Sequence, residues 1–479
     1  MGSRLSRRTP SLAVAAVILA ASTTGLFSQA PAQTRRVDWQ AMRVEILQRY
    51  RELVQIDTTA GNETRAVDYL RTVLEAEGIP TRTFALDPAR ANLVARLKGN
   101  GSRRPLLILA HTDVVGVQRD KWPVDPFGAV LKDGYIWGRG TKDDKPILTA
   151  NLITMLLLKR LAVPLDRDVI FLAESGEEAD STGVGINFMV REHFAEIEAE
   201  FAMTEGGGIT LDGERVERVT IGTAEKLPAP VRLVATGTAG HGSAPRLDNA
   251  LIHLSAAVAR VGRWEPPMRL NETTRRYFEQ MAEISAPEEA RVYKSLLTPA
   301  TADAAEAHLR EHSPAEYSML RTSVVPTMLS AGVGANVIPS SAEATLDIRA
   351  LPGENIEEFY QLMATVIDDP AVKIVPLPQA RPPSPASRLD TEMYRAMQRV
   401  ATRMFPGAQV IPTMSIAASD QAQLRAKGIQ SYGIDPGSTR DDAINYPAHG
   451  DLERLAEPAL YPFVQYVWSV VTEVAAPPR

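Results

Sequence analysis

A short apolar run that leads directly into metal-binding side chains is the strongest constraint in this sequence. Residues 106–110 are continuously apolar, as expected for a buried strand, and His111 and Asp113 follow at its end. Asp143 lies in a second polar cluster further on. An imidazole and carboxylates at neighbouring loop ends could bind a metal ion or form a hydrogen-bonded loop, and only further ligands can decide between the two.

The apolar periodicity before and after this run predicts an α/β catalytic domain. Helical stripes at residues 37–56 and 63–77 precede it, and a long apolar helix is predicted at residues 146–161. Strands alternate with helices up to residue 206, which indicates a mostly parallel sheet. Polar residues again follow the predicted strands, where open α/β sheets place their sites.

A second module is predicted in the middle of the chain. Alternating or β-branched runs there favour an α+β arrangement, and 479 residues are enough for two domains. We therefore expect a catalytic domain formed by residues 37–226 and 377–479, with residues 227–376 inserted as a lid or dimerisation domain. A final helix is predicted at residues 452–474.

Composition excludes several classes of partner and ligand. The net charge of −6 and the pI near 5.8 give no basic surface for nucleic acid or anionic lipid. The sequence has no cysteine, so a metal site must use histidine and carboxylate ligands.

The N-terminus has the pattern of a secretory signal peptide. Arg4, Arg7 and Arg8 precede the apolar residues 12–21, and small residues at 30–32 offer a cleavage site. We expect residues 1–32 to be removed and the protein to be periplasmic or secreted, by the general or the twin-arginine route. The apolar run is too short for a stable membrane span.

Three further clusters supply candidate ligands. Together with the first stretch they give two histidines and three carboxylates: His111, Asp143, Glu178, Glu205 and His449. Such a set suits two divalent cations with one carboxylate bridging them, and it leaves Glu177 free to act as a base.

The motifs of this chain resemble those of a known enzyme family. They are His111-Thr112-Asp113, Asp143-Asp144-Lys145, Glu177-Glu178, Gly240-His241-Gly242-Ser243, Asn336-Val337-Ile338-Pro339, Asp347-Ile348-Arg349 and His449-Gly450. In this order they resemble the co-catalytic di-zinc family of glutamate carboxypeptidase, aminoacylase, carnosinase and succinyl-diaminopimelate desuccinylase.

The resemblance implies a role for each ligand. One zinc ion would bind His111 and Glu205, the other would bind Glu178 and His449, and Asp143 would bridge them. Cobalt or manganese could replace zinc at such ligands.

The resemblance also implies how the reacting groups are arranged. Glu177 would be the general base, and Asp113 would orient the imidazole of His111 by accepting its second N–H. A cis peptide bond is expected between Asp143 and Asp144. His241 would reach the active site of a partner subunit, which implies a homodimer formed through the inserted domain.

The function implied is hydrolysis of an amide bond next to a free carboxylate in small peptides. Asn336 and Arg349 match positions that hold that carboxylate. Deacylation of N-acyl amino acids on the same site is the alternative, and a non-catalytic dimeric binding protein is a third hypothesis. The chain departs from the family pattern at Pro146, where the family usually has glycine, and at residues 418–420, near the substrate pocket.

A competing metal motif is the pentad His308-Leu309-Arg310-Glu311-His312, which fits the His-x-x-Glu-His pattern of inverted zinc proteases. Pro314 ends its predicted helix at once, and no other ligand cluster is close in sequence. We expect this pentad to be an exposed helix face.

Overall fold

The computed structural model describes residues 37–178, 183–379 and 381–477. The predicted signal peptide, residues 1–32, lies outside the described residues. Among the helices that are described, none combines the length and the apolar character needed to cross a membrane.

The helices are α1 (Trp39–Gln55), α2 (Thr64–Ala76), α3 (Lys145–Arg160), α4 (Ile186–Glu192), α5 (Phe194–Ile197), α6 (Ala250–Arg263), α7 (Glu272–Ile284), α8 (Pro287–Leu296), α9 (Ala302–His312), α10 (Pro314–Ser318), α11 (Ile356–Ile367), α12 (Glu392–Met404), α13 (Gln421–Ala426), α14 (Arg440–Asn445) and α15 (Glu457–Ala475). The strands are β1 (Thr81–Phe84), β2 (Asn92–Leu97), β3 (Leu106–His111), β4 (Val130–Lys132), β5 (Tyr135–Trp137), β6 (Val169–Glu174), β7 (Phe201–Thr204), β8 (Gly208–Asp212), β9 (Arg215–Glu225), β10 (Leu227–Pro228), β11 (Val231–Thr236), β12 (Gly240–His241), β13 (Ser323–Ala331), β14 (Val337–Ile338), β15 (Ser341–Ala350), β16 (Val372–Pro376), β17 (Gln409–Ser415), β18 (Gln430–Gly433), β19 (Gly437–Thr439) and β20 (Arg454–Ala456).

A large mixed sheet forms the centre of the fold and confirms the predicted α/β class. Its strand order is β1-β2-β6-β3-β7-β18-β9-β8-β19, and β17 pairs with β9. The pairs β6–β3, β3–β7 and β7–β18 are parallel, so the middle of the sheet is parallel.

Both faces of this sheet are covered, which explains why its central strands are continuously apolar. In β3, Leu106, Ile108 and Ala110 pack into the cluster that contains α1, α3 and α15. The intervening Leu107 and Leu109 pack on the other face, against α4 and α13. Alternate side chains of the strand thus point to opposite faces of the sheet and pack in two separate hydrophobic layers.

The strand order brings polar residues to one edge of the sheet. Glu174 ends β6, His111 ends β3, Glu205 follows β7 and Asp435 follows β18. Because these neighbouring strands run in parallel, their carboxyl ends lie side by side. This edge is the position that the sequence pattern predicts for the site.

A second, antiparallel sheet lies within the predicted insertion. Its strands are β10-β15-β11-β16 with β13 on β15, and α6 and α11 pack on it. Helices α7, α8 and α9 form a further cluster that also contains Ile411 and Met414 of β17, so this part of the insertion packs on the large sheet. The limits of the two domains, residues 37–226 with 377–479 and residues 227–376, stay a prediction.

The predicted C-terminal helix begins later than residue 452. Residues Arg454–Ala456 form β20, which pairs with β5 in a three-stranded sheet, and α15 starts at Glu457. Pro458 suits the first turn of that helix. The strand was not predicted because its partner is more than 300 residues earlier in the chain.

A buried lysine lies where the chain passes from the large sheet to the second sheet, and it makes the unfolding free energy depend on pH. Lys226, between β9 and β10, is fully buried, and its Nζ donates to Ser318 and to the hydroxyl of Ser323 at 2.9–3.0 Å. Burial lowers the pKa of Lys226 to about 7. Between this pKa and the ordinary value of about 10.4 the unfolded chain binds more protons, so the unfolding free energy rises with pH.

We therefore predict a pH-dependent difference between the wild type and Lys226→Met. As pH rises from about 7 to about 10, the wild type should gain stability relative to the variant, by at most ~1.4 kcal/mol per pH unit. Urea unfolding of both proteins at several pH values measures this difference. A difference that stays constant with pH would show that Lys226 is not neutral in the folded protein.

Candidate metal centre

The five candidate ligands converge on the carboxyl edge of the large sheet, and Asp143 lies between the two histidines. Nε2 of His111 is 2.9 Å from Oδ1 of Asp143, and Nε2 of His449 is 3.1 Å from Oδ2. Each carboxylate oxygen thus faces a different imidazole. This is the geometry expected of a carboxylate that bridges two cations.

The other two candidate ligands, Glu178 and Glu205, each lie close to a histidine of the site. Oε1 of Glu178 is 2.8 Å from Nε2 of His449. The potential ligand atoms of His111, Glu177 and Glu205 all lie within 4.8 Å of one another. Both predicted ligand pairs, His111 with Glu205 and Glu178 with His449, are therefore compatible with the geometry.

Asp113 positions the glutamate pair through the backbone. Its Oδ1 accepts the N–H groups of Gly176 at 2.9 Å and Glu177 at 3.2 Å, and its Oδ2 accepts that of Glu178 at 3.1 Å. Nδ1 of His111 is closest to the backbone carbonyl of Asp113, at 3.1 Å, while the carboxylate Oδ1 is 3.5 Å away. Both acceptors near the second ring nitrogen of His111 thus belong to Asp113, and the backbone carbonyl is the nearer one.

A buried ion pair connects the loop of Asp143 to the loop of His449. Nη1 of Arg139 donates to Glu453 at 2.6 Å, and Nη2 donates to the backbone carbonyl of His449 at 3.2 Å. The carboxylate of Glu453 also accepts the backbone N–H of Lys142 at 2.7 Å. The two loops are therefore held together by charge-assisted hydrogen bonds, which the sequence analysis did not identify.

The peptide bond between Asp143 and Asp144 is cis, as expected from the resemblance. The Asp144 side chain is buried and accepts the backbone N–H of His111 at 3.3 Å. It follows Asp143 directly in the chain, and burial raises the pKa of Asp144 well above its ordinary value.

The electrostatics of the site favour the binding of cations. Burial and neighbouring carboxylates raise the pKa of Glu205 well above its ordinary value, and burial with the charge of Asp143 raises the pKa of Asp435 to about 7. Hydrogen bonds to Asp143 and Glu178 raise the pKa of His449 to about 10. Crowded buried carboxylates that hold protons can exchange them for divalent cations, so the donor set fits a metal centre.

Glu177 lies beside this cluster and is held by a residue that the sequence did not point to. The guanidinium of Arg381 donates to Oε1 of Glu177, and its Nε donates to the carbonyl of Ser419 at 3.0 Å. Both side chains of this ion pair are 11% exposed. Burial and the charge of Asp420 raise the pKa of Glu177 to about 8.

The remaining predicted site residues lie in the second module. The backbone carbonyl of Asn336 accepts the N–H of Gly242 at 2.7 Å, so Asn336 and His241 are neighbours. Nδ1 of His241 is 2.7 Å from Oγ of Ser243. Nε of Arg349 donates to Asp347 at 3.0 Å. Within the described chain none of the three forms a hydrogen bond or an ion pair with a residue of the metal centre.

The histidine pentad lies on α9 and does not join the site. His308 and His312 are exposed, and their rings stack with centroids 4.4 Å apart. The groups of metal-binding side chains found among the described residues do not include them. The prediction of an exposed helix face is confirmed.

Comparison with known proteins matches this chain to a peptidase family. The sequence model of peptidase family M20/M25/M40 matches residues 107–473. The probable carboxypeptidase S-like 2 of Dictyostelium discoideum is 30% identical over 342 residues, which are 69% of this chain and 64% of that protein. An N-fatty-acyl-amino acid synthase/hydrolase of Homo sapiens is 30% identical over 331 residues, 67% of this chain and 64% of its own length. The chain thus spans about 64% of the length of these two relatives.

A solved structure has the same fold. The M20 family metallo-carboxypeptidase of Sulfolobus solfataricus superposes with a TM-score of 0.66 at 20% sequence identity, covering 89% of this chain and 98% of that one. With the family match over residues 107–473 and the geometry of the metal centre, the chain belongs to the M20/M25/M40 peptidase family.

Proposed function

We propose that this protein is a metal-dependent exopeptidase of the carboxypeptidase or dipeptidase type. It would hydrolyse an amide bond next to a free carboxylate in a small peptide. The observation that carries this proposal is the position of Asp143 between two imidazoles, with Glu177 directly beside them.

We propose two zinc ions as the native cofactor, with cobalt or manganese as substitutes. The borderline character of two imidazoles and three carboxylates suits these metals. When bound, the two cations would supply Lewis acidity, polarising the amide carbonyl and making a water molecule acidic near neutral pH.

Glu177 would carry the proton between the steps of the reaction. Its carboxylate would accept the proton of the attacking water and later deliver it to the leaving amine. Arg381 would hold this carboxylate in place through their ion pair. Asp113 would fix the backbone from which Glu177 projects, since it accepts that residue's N–H.

The free carboxylate of the substrate would bind to Asn336 and Arg349. A planar guanidinium can donate two parallel hydrogen bonds to a carboxylate, and the Arg349 side chain is 35% exposed. The Asp347 partner would release it when substrate binds.

The second candidate function is deacylation of N-acyl amino acids. It is favoured by the similarity to an N-fatty-acyl-amino acid synthase/hydrolase, whose substrates also join an acyl group to an amino acid. A non-catalytic binding protein is the third hypothesis. The complete ligand set together with a base at Glu177 argues against it.

A homodimer would complete the site. Strand β13 pairs only with β15 in the described chain, and it exposes Val325, Met328 and Leu329. An apolar edge strand of this kind is a natural surface for a second copy. The partner subunit's His241 would then donate to the developing oxyanion.

We also propose that the mature protein is exported. The basic, apolar and small-residue segments of residues 1–32 support this, in the order expected for a signal peptide. The protein would act on small substrates in the periplasm or outside the cell.

We predict that Glu177→Gln removes activity but not the metal ions. The amide cannot act as a base, so turnover of dipeptides should fall at least about 10²–10⁴-fold. Steady-state kinetics and metal analysis of the same preparation measure both effects.

The matched control is His308→Ala, on the exposed face of α9. This variant should retain wild-type activity. Substantial activity in Glu177→Gln would exclude Glu177 as the base. A large loss of activity in His308→Ala would indicate that the pentad is a functional site.

A second prediction tests whether His241 acts across subunits. Glu177→Gln and His241→Ala homodimers should each be nearly inactive. A heterodimer with one chain of each kind contains one complete site, formed by Glu177 of one subunit and the partner subunit's His241. Purified with two different tags, it should recover about half of the wild-type activity. If His241 acted within its own chain, the heterodimer would remain inactive.

A further inference from the structure

A cavity of about 530 Å³ leads from the metal centre along the large sheet. We call it the side cavity. Asp143 and Glu205 line its inner end, and residues of β8, β9 and β19 line it further along. The carboxylates at the inner end belong to the metal centre, so the side chains beyond them decide which group of a substrate the cavity accepts.

Three polar side chains form a row across neighbouring strands of the side cavity. Arg218 of β9 pairs with Thr210 of β8, and Thr210 pairs with Ser438 of β19. Residues that pair directly lie on the same face of a sheet, and all three line the cavity. We call them the polar row. Thr210 is two residues, about 7 Å, beyond Gly208, which lines the cavity three residues after Glu205.

The guanidinium of Arg218 is half-buried, and no carboxylate of the described chain forms an ion pair with it. Its Nη1 donates to the thioether sulfur of Met281, a weak acceptor, at 3.4 Å. Its Nε is buried and has no hydrogen-bond partner among the described residues. The buried Arg139, by contrast, donates to Glu453 at 2.6 Å. Partial burial of a cation without an anion costs free energy, so an anionic ligand would stabilise Arg218.

The other cations of the lining are less suited to bind an anion. Lys142 already donates to two backbone carbonyls, at 2.6 and 2.8 Å. The side chain of Arg440 is 73% exposed, and its Nη2 is 3.7 Å from the carboxylate of Glu217. Arg218 therefore combines partial burial with the lack of a carboxylate partner in the described chain, which the other two cations do not.

The position of the proton carrier decides which half of the substrate enters the side cavity. Glu177 must reach the leaving amine, so the amine half of the substrate lies on the side of Glu177 and Arg381. Neither residue lines the side cavity, which opens instead at Asp143 and Glu205. The half that faces away from Glu177 is the acyl half.

We infer that the polar row binds a carboxylate in the acyl half of the substrate, and that the preferred substrates are peptides with glutamate or aspartate on the acyl side of the cleaved amide bond. This inference rests on the proposed amide hydrolysis at the metal centre. The guanidinium of Arg218 can donate two hydrogen bonds to such a carboxylate, and the hydroxyls of Thr210 and Ser438 can add others. Arg349 and Asn336 concern a different carboxylate, that of the amine half.

Dipeptides that differ only in charge test the inference on the metal-loaded wild-type enzyme. The pairs are glutamyl- with glutaminyl-phenylalanine and aspartyl- with asparaginyl-phenylalanine. A charge-assisted hydrogen bond to the acidic side chain should raise kcat/KM at least about tenfold over the amide in at least one pair. Because this bond is present both before and during the reaction, the difference should appear mainly in KM.

Two arginines of β9 offer a matched pair of variants. Arg215 pairs with Asp212, is exposed, and is not part of the lining. Arg218→Gln should lower kcat/KM for the acidic substrate to about the value for its amide counterpart, since only the charge that distinguishes the two is lost. Arg215→Gln should keep the wild-type preference and the wild-type rates.

Reversing the charge gives an independent test. Arg218→Glu should cleave lysyl-phenylalanine with a kcat/KM at least about tenfold above that for glutamyl-phenylalanine, and this activity also shows that the variant folds. A wild-type enzyme without preference for acidic substrates, or a preference that persists in Arg218→Gln, would overturn the inference while leaving the proposed hydrolysis intact. Failure of the wild type to cleave any of these dipeptides would overturn both.

Discussion

The concentration of buried negative charge at one sheet edge is the constraint on which the rest of this structure depends. Asp143, Asp144, Glu205 and Asp435 lie together with few positive side chains among them, and burial raises the pKa of several of these groups. Such a cluster is stable only if protons or metal ions compensate its charge. The fold provides the edge, because parallel strands end side by side, and cations would provide the compensation.

Hydrogen bonds from distant parts of the chain hold the carboxylates in place against their mutual repulsion. Asp113 accepts three successive backbone N–H groups of the glutamate loop. Glu453 and Arg139 join the loops of Asp143 and His449. Both anchors are buried, so their hydrogen bonds are shielded from water. The candidate ligands are thus held in place by the protein itself, and this preorganisation would favour tight binding of a metal ion.

Much of the fold and of the ligand set can be predicted from the sequence because both follow local patterns. Strand β3 is predicted by its apolar run, and His111 is suggested by its position at the end of that run. The roles of Asp143 and the cis bond that follows it come from the family resemblance. These signals lie within a few residues of the features they predict.

The contacts that complete the site could not be predicted, because each joins segments that are far apart in sequence. Arg381 lies in a proline-rich stretch with no motif of its own, and only the fold places it against Glu177. The pairing of β20 with β5 shortens the predicted C-terminal helix for the same reason. Long-range pairing overrides local helix preference at that point.

The most direct test of a two-metal centre in this protein is the number of metal ions that each chain binds. Metal-free protein would be titrated with zinc in a calorimeter, in two buffers that differ in their enthalpy of protonation. Two ions should bind per chain, with release of protons from the crowded carboxylates and imidazoles. Binding of one ion or none, or binding without proton release, would contradict a two-metal centre built on Asp143.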